Sequence, residues 1–134
     1  MNRPLSIAEL DHVVLRCRDI NRALDFYVCL LGLQEERRIG AIGLVQLRAG
    51  RSMIDLIPAS AGAARDDANL NVDHVCLGVE VAEISQAAAF LKAEGVEVIG
   101  EPAQRYGARG MGMSIYIRDP EGNVIELKQM PSGV

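Results

Sequence analysis

Short runs in which apolar and polar residues alternate are interrupted twice along this chain by longer segments whose apolar residues recur every three or four positions. Alternation predicts strands with one covered face, and the wider spacing predicts helices with one apolar side. The first half reads LDHVVLRC (10–17) as a strand, followed by a helix in DINRALDFYVCLLG. That helix sets Ile20, Ala23, Leu24, Tyr27, Leu30 and Leu31 on one side and stops at Gly32. Strands LQEERRI (33–39), IGLVQLR (42–48) and SMIDLIP (52–58) follow. The second half repeats the order: VDHVCLGV (72–79), then the helix VAEISQAAAFLKAEG with Ile84, Ala87, Ala88 and Leu91 on one side and a stop at Gly95. VEVIGE (96–101), MSIYIR (113–118) and NVIELK (123–128) complete it.

The order βαβββ is thus used twice, an internal repeat. The expected fold class is α+β: one domain over residues 1–134 made of two tandem βαβββ modules, at about 8–58 and 71–130, whose sheets curve around a cleft with the helices outside. The small, polar stretch ASAGAARDDANL (59–70) is the linker between them. DPEGN (119–123) reads as a turn, because proline presets φ and glycine accepts positive φ. GARGMG (107–112) lacks the strand–loop–helix setting of a phosphate loop and reads as a mobile flap.

The repeat aligns chemistry as well as pattern. LDHVVLRC and VDHVCLGV share D-H-V-x-L with His12 and His74 in register, and SMIDLI against NVIELK matches Asp55 to Glu126. Alternation puts His12, Val14 and Arg16 opposite Val13 and Leu15, and His74, Cys76 and Gly78 opposite Val75, Leu77 and Val79. Asp55 opposes Ile54 and Leu56, and Glu126 opposes Ile125 and Leu127. With the apolar faces under the helices, two imidazoles and two carboxylates are left for the open, concave face, joined by Ser114, Tyr116 and Arg118. Such a donor set suits Fe(II), Mn(II), Ni(II), Co(II) or Zn(II). Each residue taken alone also reads as a hydrogen-bonded strand histidine or a solvated carboxylate; it is the coincidence of the chain's only two histidines with one repeated motif that favours the metal.

Composition changes this picture little. With 49% hydrophobic and 24% charged residues and a net charge of −4, the chain is that of a globular protein without a basic footprint, so nucleic acid is not an expected partner. No apolar run reaches the roughly 20 residues that span a bilayer, and no signal peptide is recognised. Cys17, Cys29 and Cys76 form no CxxC pair and read as buried thiols of a reducing, cytoplasmic protein.

The segments LDHVVLRCRDINRALDFYVCLLGL and SIYIRDPEGNVIELK, with the paired βαβββ order, resemble the vicinal oxygen chelate superfamily. It includes glyoxalase I, fosfomycin-resistance proteins, methylmalonyl-CoA epimerase, extradiol dioxygenases and bleomycin-resistance proteins. The resemblance implies mixed sheets, and His12, His74 and Glu126 as metal ligands, with Asp55 where glyoxalase I has a fourth. Glu126 or Asp55 would carry the catalytic proton. Arg16 stands where glyoxalase I grips a glutathione carboxylate, whereas an expected asparagine is Ala59. Ser114 and Tyr116 match phosphonate contacts of fosfomycin-resistance proteins, and Arg105 would help to hold the polar end of a substrate. The implied activity is that of a glyoxalase-like lyase or isomerase, dependent on a divalent metal (Ni, Co, Zn, Mn or Fe(II)). It would act on a small molecule chelated through vicinal oxygens. An Fe(II) extradiol-type dioxygenase and a non-catalytic small-molecule (antibiotic) binding protein are the alternatives. The implied assembly is a homodimer, whose sites many such proteins share between subunits.

Overall fold

The computed structural model describes residue 4 and residues 9–131. The start of the first module, expected at about residue 8, lies outside the described residues. Strand β1 (His12–Cys17) leads into helix α1 (Ile20–Leu24), and β2 (Gln34–Ile39), β3 (Leu44–Ala49) and β4 (Ser52–Pro58) follow. The second module runs β5 (Val75–Val79), α2 (Ile84–Ala93), β6 (Val98–Gly107), β7 (Gly110–Arg118) and β8 (Val124–Gln129). Each module forms a four-stranded mixed sheet, β1-β4-β3-β2 and β5-β8-β7-β6, in which only the first and last strands of the module run parallel. The expected βαβββ α+β architecture is therefore present twice.

The alternation decides which face is covered. Leu15, Cys17, Val45, Leu47, Ile54 and Leu56 of the first sheet are buried, as are Ile115, Ile117, Ile125 and Leu127 of the second. Ile84, Ala88 and Leu91 of α2, and Ala23, Phe26 and Tyr27 of the first helical segment, close the same core. Burying a leucine or isoleucine side chain contributes roughly 1.5–3 kcal/mol, so these rows hold each sheet against its helix. Gly32 and Gly95, with φ of 81° and 84°, end the two helical segments in the left-handed conformation that glycine adopts without strain.

Three local features differ from the pattern-based expectation. After Leu24 the first helix continues as a π-helix over Asp25–Leu30. Its wider turn brings adjacent residues Phe26 and Tyr27 both into the core, with their rings edge-to-face and centroids 4.9 Å apart. The glycine-rich 107–112 stretch is no free flap: β6 and β7 run through it as a hairpin, pairing Arg105 with Gly112, Tyr106 with Met111 and Gly107 with Gly110. Of the cysteines only Cys17 is buried, whereas Cys29 and Cys76 are exposed; Cys76 follows the alternation of its strand onto the open face.

The DPEGN turn also joins the two modules. Asp119 is buried; its Oδ1 accepts from the backbone N–H groups of Glu121 (2.9 Å) and Asn123 (2.8 Å), and its Oδ2 accepts from the Tyr27 hydroxyl at 2.6 Å. Glu121 accepts from the backbone N–H of Arg18 (2.7 Å) and of Asp19 (3.0 Å), just where β1 passes into α1. Buried carboxylates satisfied by several charge-assisted bonds hold a turn far more firmly than a surface ion pair does.

Candidate active site

In the second module β8 carries Glu126 onto the open face, where it is nonetheless 6% exposed. His74 sits one residue before β5, its Nε2 3.2 Å from Glu126 Oε1. The other ring nitrogen, Nδ1, lies 2.7 Å from Asp73 Oδ2. A carboxylate on Nδ1 sets the tautomer and leaves Nε2 as the donor toward a metal, the second-neighbour arrangement that metal-binding histidines ordinarily have. Tyr116, opposite Glu126 across the β7–β8 ladder, meets the His74 ring edge-to-face at 5.7 Å. Arg105 Nε donates to the Tyr116 hydroxyl at 3.2 Å, and its guanidinium lies 5.8 Å from that ring's centre.

The first module repeats the arrangement. His12 Nδ1 is 2.7 Å from Asp11 Oδ1. That hydrogen bond raises the His12 pKa, partial desolvation opposes it, and the negative charge of Asp55 adds to the rise. Asp55 is 3% exposed; its Oδ2 accepts from Gln46 Nε2 at 3.1 Å, while Oδ1 has no hydrogen-bond partner. A buried carboxylate oxygen left without a donor is costly unless a cation or another donor meets it.

His12 thus goes with Asp55, and His74 with Glu126. Among the described residues no three His, Cys, Asp or Glu side chains are grouped so as to hold a metal ion, so the four predicted ligands are brought together two by two. Of the predicted substrate contacts, Tyr116 and Arg105 adjoin the second pair. Ser114 lies one step along the same strand face, buried, with its Oγ unpartnered. Arg16 shares the face of His12 but sits near the other end of β1, about 13 Å away at the usual strand rise, lining a hollow with Asn71 and Asn123.

Two further residues border the second pair. Cys76 is the ladder partner of Glu126, and its thiol is pushed up to about 11, first by burial and then by the Glu126 charge and hydrogen bond. Lys128, only 6% exposed, shares a cavity of about 440 Å³ with His74, Cys76 and Glu126. Alternation in NVIELK already sets Lys128 on the Glu126 face, so the signal for it was present in the sequence.

The fold is that of a known protein class. A model of the Glyoxalase/Bleomycin resistance protein/Dioxygenase superfamily matches residues 9–127, and the chain belongs to that superfamily. Virulence protein STM3117 of Salmonella typhimurium is 31% identical over 129 residues, spanning 92% of this chain and 85% of that protein. The structure of an integron cassette protein from the mobile metagenome of V. cholerae superposes with a TM-score of 0.76 at 31% identity, covering 95% of this chain and 98% of the other. A lactoylglutathione lyase from Agrobacterium tumefaciens has the same fold, with a TM-score of 0.66 at 24% identity over 95% of this chain and 96% of its own. Among the described residues no helix is long and apolar enough to cross a membrane.

Proposed function

We propose that the protein is a divalent-metal-dependent, glyoxalase-like lyase or isomerase of a small molecule bound through two adjacent oxygens. His12 and Asp55 of one copy and His74 and Glu126 of a second would hold the metal between two chains. One observation carries this reading: each module presents an imidazole with Nδ1 held by the preceding aspartate at 2.7 Å, together with a buried carboxylate on the same open face. The donors fit a borderline-hard cation, with two Nε2 atoms, the unpartnered Asp55 Oδ1 and the Glu126 carboxylate. The two-by-two grouping within one chain is what a site shared between copies requires.

When bound, the metal would supply Lewis-acid polarisation of the two substrate oxygens. Glu126 is the residue suited to move the proton between adjacent carbons. It is longer than Asp55, faces the cavity, and is not tied to an amide as Asp55 is to Gln46. Tyr116 steadies His74 by its edge-to-face contact, and Arg105, anchored on the Tyr116 hydroxyl, presents positive charge at the rim.

The test combines metal analysis with complementation. The purified protein should hold a stoichiometric divalent metal and turn over a panel of 2-oxoaldehyde–thiol adducts. His12→Ala and Glu126→Ala homodimers should both be inactive, and mixing them should restore about a quarter to a half of the activity if ligands come from both chains. A protein that binds no metal and whose ligand binding is unchanged by His74→Ala is a binding module instead. Bound Fe(II) with oxygen consumption would mark it as an oxygenase.

A further inference from the structure

Lys128 is a cation in an unusual place. It follows Glu126 by two residues on β8, so both side chains rise from the same face with Cα atoms about 7 Å apart. The residue is 6% exposed, yet among the described residues its ammonium makes no ion pair within 4.0 Å and no hydrogen bond. The head is not among the enclosed unpartnered atoms, so a stem packed into the protein delivers an unpaired ammonium to the open space of the cavity.

The surroundings are shaped for it. A Cβ on Gly112 would stand 3.0 Å from the lysine Nζ, and one on Gly107 would stand 3.2 Å from its Cδ. The two glycines of the β6–β7 hairpin leave a trough in which the lysine stem lies, with its head at the cavity shared with His74 and Glu126. Ser114, the ladder partner of Lys128, is 1% exposed and its Oγ has no partner. The first module has no such cation: two residues beyond Asp55 stands Ile57. Lys128 is therefore not demanded by the repeated plan.

We infer that Lys128 forms an anion subsite for a carboxylate on the substrate, set apart from the two oxygens handled at the His74–Glu126 end, with the Ser114 hydroxyl as an added donor. One ammonium and one hydroxyl neutralise and solvate a single negative charge; a dianionic phosphonate would be left half-compensated. This rests on the proposed function and narrows it to substrates with a chelating pair of oxygens at one end and a carboxylate at the other.

Two probes of equal chain length test it on the metal-loaded full-length protein: 2-oxoglutarate, whose far end is a carboxylate, and 2-oxopentanoate, whose far end is a methyl group. Calorimetry should show 2-oxoglutarate bound at least tenfold more tightly. In Lys128→Met and Lys128→Gln that ratio should fall to within threefold, with metal content, melting temperature and 2-oxopentanoate affinity preserved. Metal-loaded native protein that binds both probes equally, or variants that keep the tenfold preference, overturn the carboxylate subsite and leave the proposed function standing. A native protein that holds no metal overturns both together. Should Lys128→Met fail to fold, Lys128→Gln decides, and its loss of the preference is again the supporting result.

Discussion

The two modules share one plan and depart from it in three places. In both, an aspartate–histidine step opens the first strand and a buried carboxylate sits on the last, with the same 2.7 Å contact at Nδ1. The departures begin with the neighbour of that carboxylate: Gln46 binds Asp55, whereas Tyr116 faces Glu126 and leaves it to His74. Ile57 in the first module corresponds to Lys128 in the second. The closing turn differs most. Between β3 and β4 it is a short, mostly exposed reversal around Gly50, whereas between β7 and β8 it is DPEGN, docked by Asp119 and Glu121 onto the other module. On the proposed function, what is repeated would supply metal-ligand chemistry and what is not repeated a substrate face; the unrepeated turn locks the modules together.

The largest expected effect tests the repeated part. If one metal draws on both modules, His12→Ala and His74→Ala should each reduce bound metal, measured by elemental analysis, to near zero. Loss with His74→Ala alone would make the first module's pair an echo without function. Next in size is the unrepeated turn. Asp119→Ala removes a buried acceptor of several bonds and strands the Tyr27 hydroxyl, and should destabilise the fold by about 3 kcal/mol or more in urea unfolding. Arg51→Ala in the first module's exposed turn should cost less than about 0.5 kcal/mol. Equal costs would show that the turns do the same work.

The cores also differ in what titrates. Cys17 in the first module is pushed up to about 12, first by burial and then by the charges of Glu121 and Asp119. Tyr27 is raised well above 10.0, by burial first and then by the charge and hydrogen bond of Asp119. Both groups hold their protons to higher pH when folded than when unfolded. Their contribution is therefore complete below the Cys17 reference value of 9.0 and lost as pH rises toward 12. Urea midpoints measured from pH 8 to 11.5 should fall across that window. Cys17→Ala should flatten the decline more than Cys76→Ala does, since Cys76 is raised only to about 11.

Much of this could be read along the chain because the relevant signals are local and periodic. The repeat, the covered and open faces, and the histidine–carboxylate matches follow from two-residue alternation, and the sheets keep that register. The π-helix at Asp25–Leu30 carries no sequence mark, so the helical pattern left Phe26 outside the buried side it joins. Glycines at 107, 110 and 112 suggested freedom, but cross-strand pairing through the hairpin outweighs their conformational cost. Alternation put Cys76 and Lys128 on the open face; that Lys128 is nearly buried there depends on the β6–β7 hairpin packed over its stem, which alternation does not report. The grouping of the candidate ligands two by two depends on how separate modules pack, and periodicity carries no information about that.

The smallest effect sharpens the comparison most, because it concerns a contact the two modules make identically. Asp11 and Asp73 are both highly exposed and touch only the Nδ1 side of their histidines. Asp11→Asn and Asp73→Asn keep an acceptor that can orient the ring but remove the charge that makes Nε2 a better donor. Each should weaken metal affinity by about tenfold, the lower end for a second-neighbour carboxylate, since water partly replaces so exposed a charge. Raising the salt concentration should shrink both losses, because the charge acts through solvent. The informative quantity is the ratio of the two losses in a competition titration against a chelator. A ratio near one means that the metal leans equally on both modules. A ratio far from one locates it on the histidine whose aspartate matters, and the equal 2.7 Å contacts would then be a relic of the repeat rather than two halves of one site.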